Sequence, residues 1–136
     1  MTAKEYLSQA FRIDQRINSK LAQVASLNDL VSRATSVFND MPGSPNRNIH
    51  KMEDAIVKII DLESEINAEI DQLVDLKVEI RDTIKKVGKI EYQTLLEKRY
   101  LCFQTWEQIA VDMGYELRWV YRLHNKALSA VANIRK

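Results

Sequence analysis

Turn-forming residues are scarce in this chain of 136 residues, which holds three glycines and two prolines. Folds rich in β-strand need turn residues every 8–12 positions or so, and that class is therefore disfavoured. One cysteine, Cys102, excludes a disulfide within the chain and a cysteine-based zinc site. Free cysteines are commonly buried, so Cys102 is expected as a small core residue. No apolar run approaches the ~18 residues of a membrane span. The opening "MTAKEYLSQAFRIDQR" lacks the apolar stretch of a signal peptide. These absences lead to the expectation of a soluble, cytoplasmic protein with no membrane partner. Nucleophile–base pairs, phosphate-binding glycine loops and metal-ligand spacings are also missing, so no enzyme activity, cofactor or metal is expected. His50 and His124 lack metal-ligand spacing, and His124 is read as a candidate phosphate contact.

What is present favours helix. Hydrophobic residues make up 46% of the chain and charged residues 29%, with strong helix formers abundant. The first segment opens with Thr2 and Glu5, a capping box that satisfies free amide protons at a helix start. An apolar stripe follows at three-to-four spacing: Ala10, Ile13, Ile17, Leu21, Val24, Leu27, Val31, Ala34 and Phe38, with a polar step at Lys20. A helix is expected over about residues 2–39. "NDMPGSPNRN" then gathers Pro42, Gly43 and Pro45, and a loop is expected at about 40–48. A second stripe, Met52, Ile56, Ile59, Ile66, Ile70, Leu73, Ile80, Ile84 and Val87, predicts a helix over about 49–87, with Glu63 and Lys77 on its heptad line. Gly88 is its expected stop, in a left-handed conformation. Each helix would span roughly 55 Å at the usual rise. The short loop makes them an antiparallel hairpin over residues 1–88. Further apolar residues beside the stripes (Leu7, Phe11, Leu30, Val37, Ile60, Leu62 and Leu76) point to another surface to cover, and a homodimer through the long helices is expected. Acidic residues crowd the second helix, but from Glu53 to Asp75 no two stand three apart as in paired magnesium carboxylates. A solvated face is the simpler reading.

The remainder, 89–136, changes character. Its eight Lys/Arg outnumber its five Asp/Glu, and no acid follows Glu116. Such asymmetry suggests an anionic partner. "EYQTLLEKRYL" predicts a short helix, and Thr105 with Gln108 forms a second capping box. Gly114 marks a tight turn, and a helix runs from about Glu116 to Ala132 or beyond. Small Ala110 permits a steep crossing of two helices. Val120 and Leu123 should face inward, while Trp106 is expected to pack partly buried. Together these are the marks of a helix-turn-helix.

The stretch from about residue 92 to 130 resembles region 4 of bacterial sigma factors. The match rests on Arg99-Tyr100, on Thr105 through Ala110, on Gly114 and on Lys126-Ala127-Leu128. Glu116 stands where that pattern has a small capping residue, and Leu117 and Trp119 stand where it is often polar. The whole chain also resembles small phage and prophage proteins of Gram-positive bacteria, many of unknown function and some grouped with RinA- and ArpU-type late transcription regulators. The resemblance implies an all-α DNA-binding transcriptional regulator whose last helix enters the major groove of double-stranded DNA. The positions it points to are Leu117, Arg118, Trp119, Tyr121 and Arg122; helix geometry adds Asn125 and Lys126 on the outward side, and Thr105 at a helix start where free amides bind phosphate. Arg118 and Arg122, four apart, could grip phosphate or a guanine edge. The alternative is an interaction module that docks on RNA polymerase or another phage protein with no DNA affinity of its own.

Overall fold

A computed structural model describes the backbone of residues 1–40 and 45–136, and the side chains of 1–34 and 49–136. All regular structure in the described residues is helical: α1 Ala3–Asp40, α2 Pro45–Lys85, α3 Ile90–Leu96 continued by a wider turn over Glu97–Leu101, α4 Trp106–Met113 and α5 Leu117–Ile134. The protein is all-α, and none of its described helices is long and apolar enough to cross a membrane.

Local chemistry sets the boundaries. Thr2 and Glu5 form the reciprocal cap: the Glu5 amide donates to Thr2 Oγ1 at 3.1 Å, and the Thr2 amide to Glu5 Oε2 at 3.4 Å. The expected loop of 40–48 is too long, since α2 begins at Pro45. A proline is tolerated at a first helical position because its missing N–H would have no partner there. Residues 41–44 and the side chains of Val37 and Phe38 lie outside the described residues. α2 ends at Lys85, and Gly88 is not left-handed, contrary to expectation; among the described glycines only Gly114 has positive φ. The Gln93 side-chain amide donates to the Val87 and Lys85 carbonyls, which caps the end without a left-handed residue.

The chain folds into two compact units, Met1–Asp14 with Gln72–Lys136, and Gln15–Asp71. This differs from a hairpin of 1–88 followed by a separate domain of 89–136. The reason is that Leu7, Ala10, Ile80, Ile84 and Val87 share one core with Leu95, Leu96, Ile109, Val120 and Val131. In this unit α1 and α2 run antiparallel, with the Tyr6 hydroxyl 3.0 Å from Glu79 Oε1 and 3.2 Å from Thr83 Oγ1.

In the second unit the seam follows a different line from the expected stripe. Ile59, Leu62, Ile66 and Glu69 are buried, while Ile56 and Ile70 are exposed. A strict heptad through 52, 55, 59, 62, 66 and 69 fits these positions, so Glu63 lies off the seam. On α1 the seam position is Lys20, and Leu21 is exposed. The Lys20 ammonium reaches Glu69 Oε1 at 2.7 Å and Glu65 Oε2 at 3.5 Å, and Arg16 meets the same Glu69 oxygen at 2.9 Å. A buried carboxylate with two cations fixes the register of the pair, because a slip would leave it unpaired.

Leu7 is fully buried although it lies more than a hundred positions before α5. Leu7→Ala should therefore cost roughly 2–5 kcal/mol, as core truncations do. Urea denaturation followed at the tryptophans checks this. Both tryptophans lie after residue 100, so an unchanged midpoint would mean that α1 is not part of the core around α4 and α5.

Candidate nucleic-acid interface

The interface is built on α4, a tight turn and α5. Thr105 caps α4 as expected, accepting from the Gln108 amide at 3.2 Å. Gly114 ends α4 at φ 71 and ψ 31, and the Tyr115 amide donates back to the Ala110 carbonyl at 2.9 Å. This six-to-one closure requires a left-handed residue, which glycine adopts without a Cβ penalty. Tyr115 Oη donates to Glu91 Oε1 at 2.5 Å, tying the turn to α3.

α5 has two distinct sides. Val120, Leu123, His124, Ala127 and Val131 are buried. Arg118, Trp119, Tyr121, Arg122, Asn125 and Lys126 are exposed, with Trp119 at 37% and Tyr121 at 43%. Leu117 is half-buried and packs against the core. Arg118, Arg122 and Asn125 line one stripe at four- and three-residue spacing. None of the ion pairs of the described residues involves Arg118, Arg122 or Lys126. Lys126 Nζ lies 5.4 Å from the Trp119 ring centroid. Glu116 precedes α5 without a capping hydrogen bond from its carboxylate.

Trp106 is half-buried and holds α4 to α5. Its ring meets Tyr121 edge-on at 5.6 Å and His124 at 4.5 Å, and the Arg99 guanidinium lies 4.3 Å from its centroid. The Arg99–Tyr100 pair sits in the wide turn, where the Cys102 amide donates to Glu97 and the Gln104 amide to Lys98, bonds that span five and six residues. Such a turn inserts a residue into the helical ladder. It leaves Cys102 exposed, so the expectation of a core cysteine is corrected.

A second correction concerns His124, which cannot reach a phosphate. It is 6% exposed, and its Nε2 lies 2.6 Å from Tyr100 Oη. Burial pushes the imidazole down to about 4, with the charges of Lys4 and Arg99 adding to the effect. Burial pushes the Tyr100 phenol up to about 12, opposed by Arg99. Both groups are thus neutral near pH 7 and share one hydrogen bond in the core. Nothing in the sequence signalled this pair, whose members stand 24 positions apart.

Among the described residues no group of three His, Cys, Asp or Glu could hold a metal ion. Fold and surface together define an all-helical protein that presents one basic helix face. The chain belongs to the family described as "Protein of unknown function (DUF1492)", the match covering residues 40–132. No curated protein and no solved structure matches it.

The His124 environment sets a pH dependence. Its folded pKa lies below the ordinary 6.5, so the unfolded chain takes up the proton first as pH falls. The stability it contributes is full above pH 6.5 and is lost as pH drops from about 6.5 to about 4, by roughly 3 kcal/mol in total. His124→Gln should flatten the stability difference between pH 6.5 and pH 4 relative to the unsubstituted chain, as measured by urea midpoints across that range. An equal slope in both proteins would rule out a neutral buried imidazole.

Proposed function

We propose that this protein is a phage-type transcriptional regulator that binds double-stranded DNA with α5 in the major groove, acting in the cytoplasm and without catalysis of its own. The observation that carries the reading is the basic stripe of α5. Arg118, Arg122 and Lys126 project from the side opposite the buried one, and no carboxylate neutralises them among the described residues. Arginine in such a stripe can pair with guanine O6 and N7 or with phosphate, and lysine serves as a point charge for phosphate. Thr105 at the start of α4 adds free backbone amides that favour an anion. Trp119 and Tyr121 offer apolar surface to a sugar or a thymine methyl. The resemblance to sigma region 4 supports the same placement.

Net charge after residue 88 is only modestly positive, so one copy should bind weakly. A homodimer through the long helices would supply a second contact. Exposed Leu21, Leu30, Ile56, Val57 and Ile60 support it, since such side chains exceed what an isolated helix pair needs in water. Val57→Glu with Ile60→Glu should convert a dimer to a monomer in sedimentation equilibrium. A chain already monomeric at high concentration would remove the dimer from the proposal.

A second reading is favoured by exposed Trp119: an interaction module that docks on RNA polymerase or another phage protein. Selection from random duplex DNA at two salt concentrations separates the two. Under the DNA reading, Arg122→Ala weakens binding to all sequences and lowers the salt slope by about one. Arg118→Ala costs about 1–3 kcal/mol on the preferred sequence and relaxes one position. Wild-type binding by both variants, or no enriched sequence and no salt slope, would leave the docking module as the better account.

A further inference from the structure

A small cavity of about 90 Å³ opens between the first turns of α1, the wide turn and the start of α4. Its wall includes Lys4, Ser8, Phe11, Arg99, Phe103 and Trp106. Two cationic residues and Ser8 thus line the cavity together with the aromatic residues Phe11, Tyr100, Phe103 and Trp106. Arg99 is held in place, with Nη1 donating to the Gln104 carbonyl at 2.9 Å and the guanidinium against Trp106 at 4.3 Å. A guanidinium has five N–H donors, and this bond uses one. Neither Lys4 nor Arg99 takes part in an ion pair among the described residues. Their uncompensated charge is felt next door, where both help to lower the His124 pKa.

The ring wall is built at some cost. Phe103 is the one described non-glycine residue with positive φ, at 56. A bulky side chain in that region is disfavoured by roughly 1–2 kcal/mol. Its ring is held edge-on to Phe11 at 5.5 Å, with Lys77 Nζ 4.6 Å from its centroid. Phe11 itself is 42% exposed at the rim. Strained backbone that presents an aromatic beside unpaired cations is a feature of ligand sites more than of plain cores.

We propose that this cavity binds a small oxyanion carried on a single flat ring, of the aryl phosphate class. The charge of the occupant follows from Lys4 and Arg99, and arginine beside an aromatic suits phosphate and ring together. Its size follows from the volume, which is far below the ~300 Å³ of ordinary ligand pockets. The charged group enters, and the ring rests at the mouth on Phe11.

The test is a titration of the full chain with phenyl phosphate, inorganic phosphate and phenol, following the Trp106 indole N–H by NMR. Phenyl phosphate should give a saturable shift, half-complete in the low millimolar range, on the order of 1 mM. Inorganic phosphate should bind about tenfold more weakly, for want of the ring, and phenol more weakly still. Lys4 is exposed, so Lys4→Ala should leave the fold intact, as read from an unmoved Trp119 indole resonance, and weaken phenyl phosphate about fivefold or more. Absence of saturation, phenol binding as tightly as phenyl phosphate, or an unaltered titration in Lys4→Ala would each overturn the proposal. No DNA enters the experiment, so its outcome is independent of the function read from α5.

Discussion

The packing of Val120, Leu123, Ala127 and Val131 into one core with Leu7, Ile80 and Ile84 fixes which side of α5 meets water. Helical geometry then does the rest. Once those positions are inward, Arg118, Arg122 and Asn125 have to stand on the far side. Neither α4 nor α5 could hold that orientation alone, because a helix as short as α4 is marginal in water without tertiary packing. The long helices are therefore part of the basic surface's support, supplying Leu7, Ala10, Ile80 and Ile84 to its core.

A polar cluster lies inside that support. Tyr100 and His124 satisfy each other in a region where an unpaired polar atom would be costly. Trp106 covers the imidazole and touches Tyr121, so the relation of α4 to α5 depends on aromatic contacts as well as aliphatic ones. Arg99 lies over the same tryptophan and cannot shift without disturbing it. Positive charge and a left-handed phenylalanine thus fall within a few residues of one turn, whose Tyr100 holds a neutral histidine.

Much of this architecture was legible in the sequence. The capping box of Thr2 and Glu5, the Thr105 half of the second one, the turn at Gly114 and the inward face of Val120 and Leu123 follow from local rules that act within one helical turn, and the structure has them. The seam of the long helices was only half legible. Both Ile56 and Ala55, or Leu21 and Lys20, fit a helical period, and hydrophobicity alone chose the larger apolar residue each time. The heptad chose the other, because Glu69 and Lys20 can bury their charges against each other. Three-dimensional pairings were not legible at all. Gln93 closing the end of α2, Tyr100 against His124 and Leu7 beneath α5 each depend on the path of the chain between distant segments.

That path has a consequence for how the chain comes to be folded. The unit formed by Gln15–Asp71 is contiguous and can assemble from neighbours in sequence, whereas the other joins Met1–Asp14 to Gln72–Lys136. During synthesis the residues of α1 emerge before those of α5, and the core they share is complete only once Val120 and Val131 have joined it. Long-range contacts of this kind slow the closing step. Until α5 has formed, the core around Leu7 and Ala10 stays incomplete, and the basic face has no platform on which to stand.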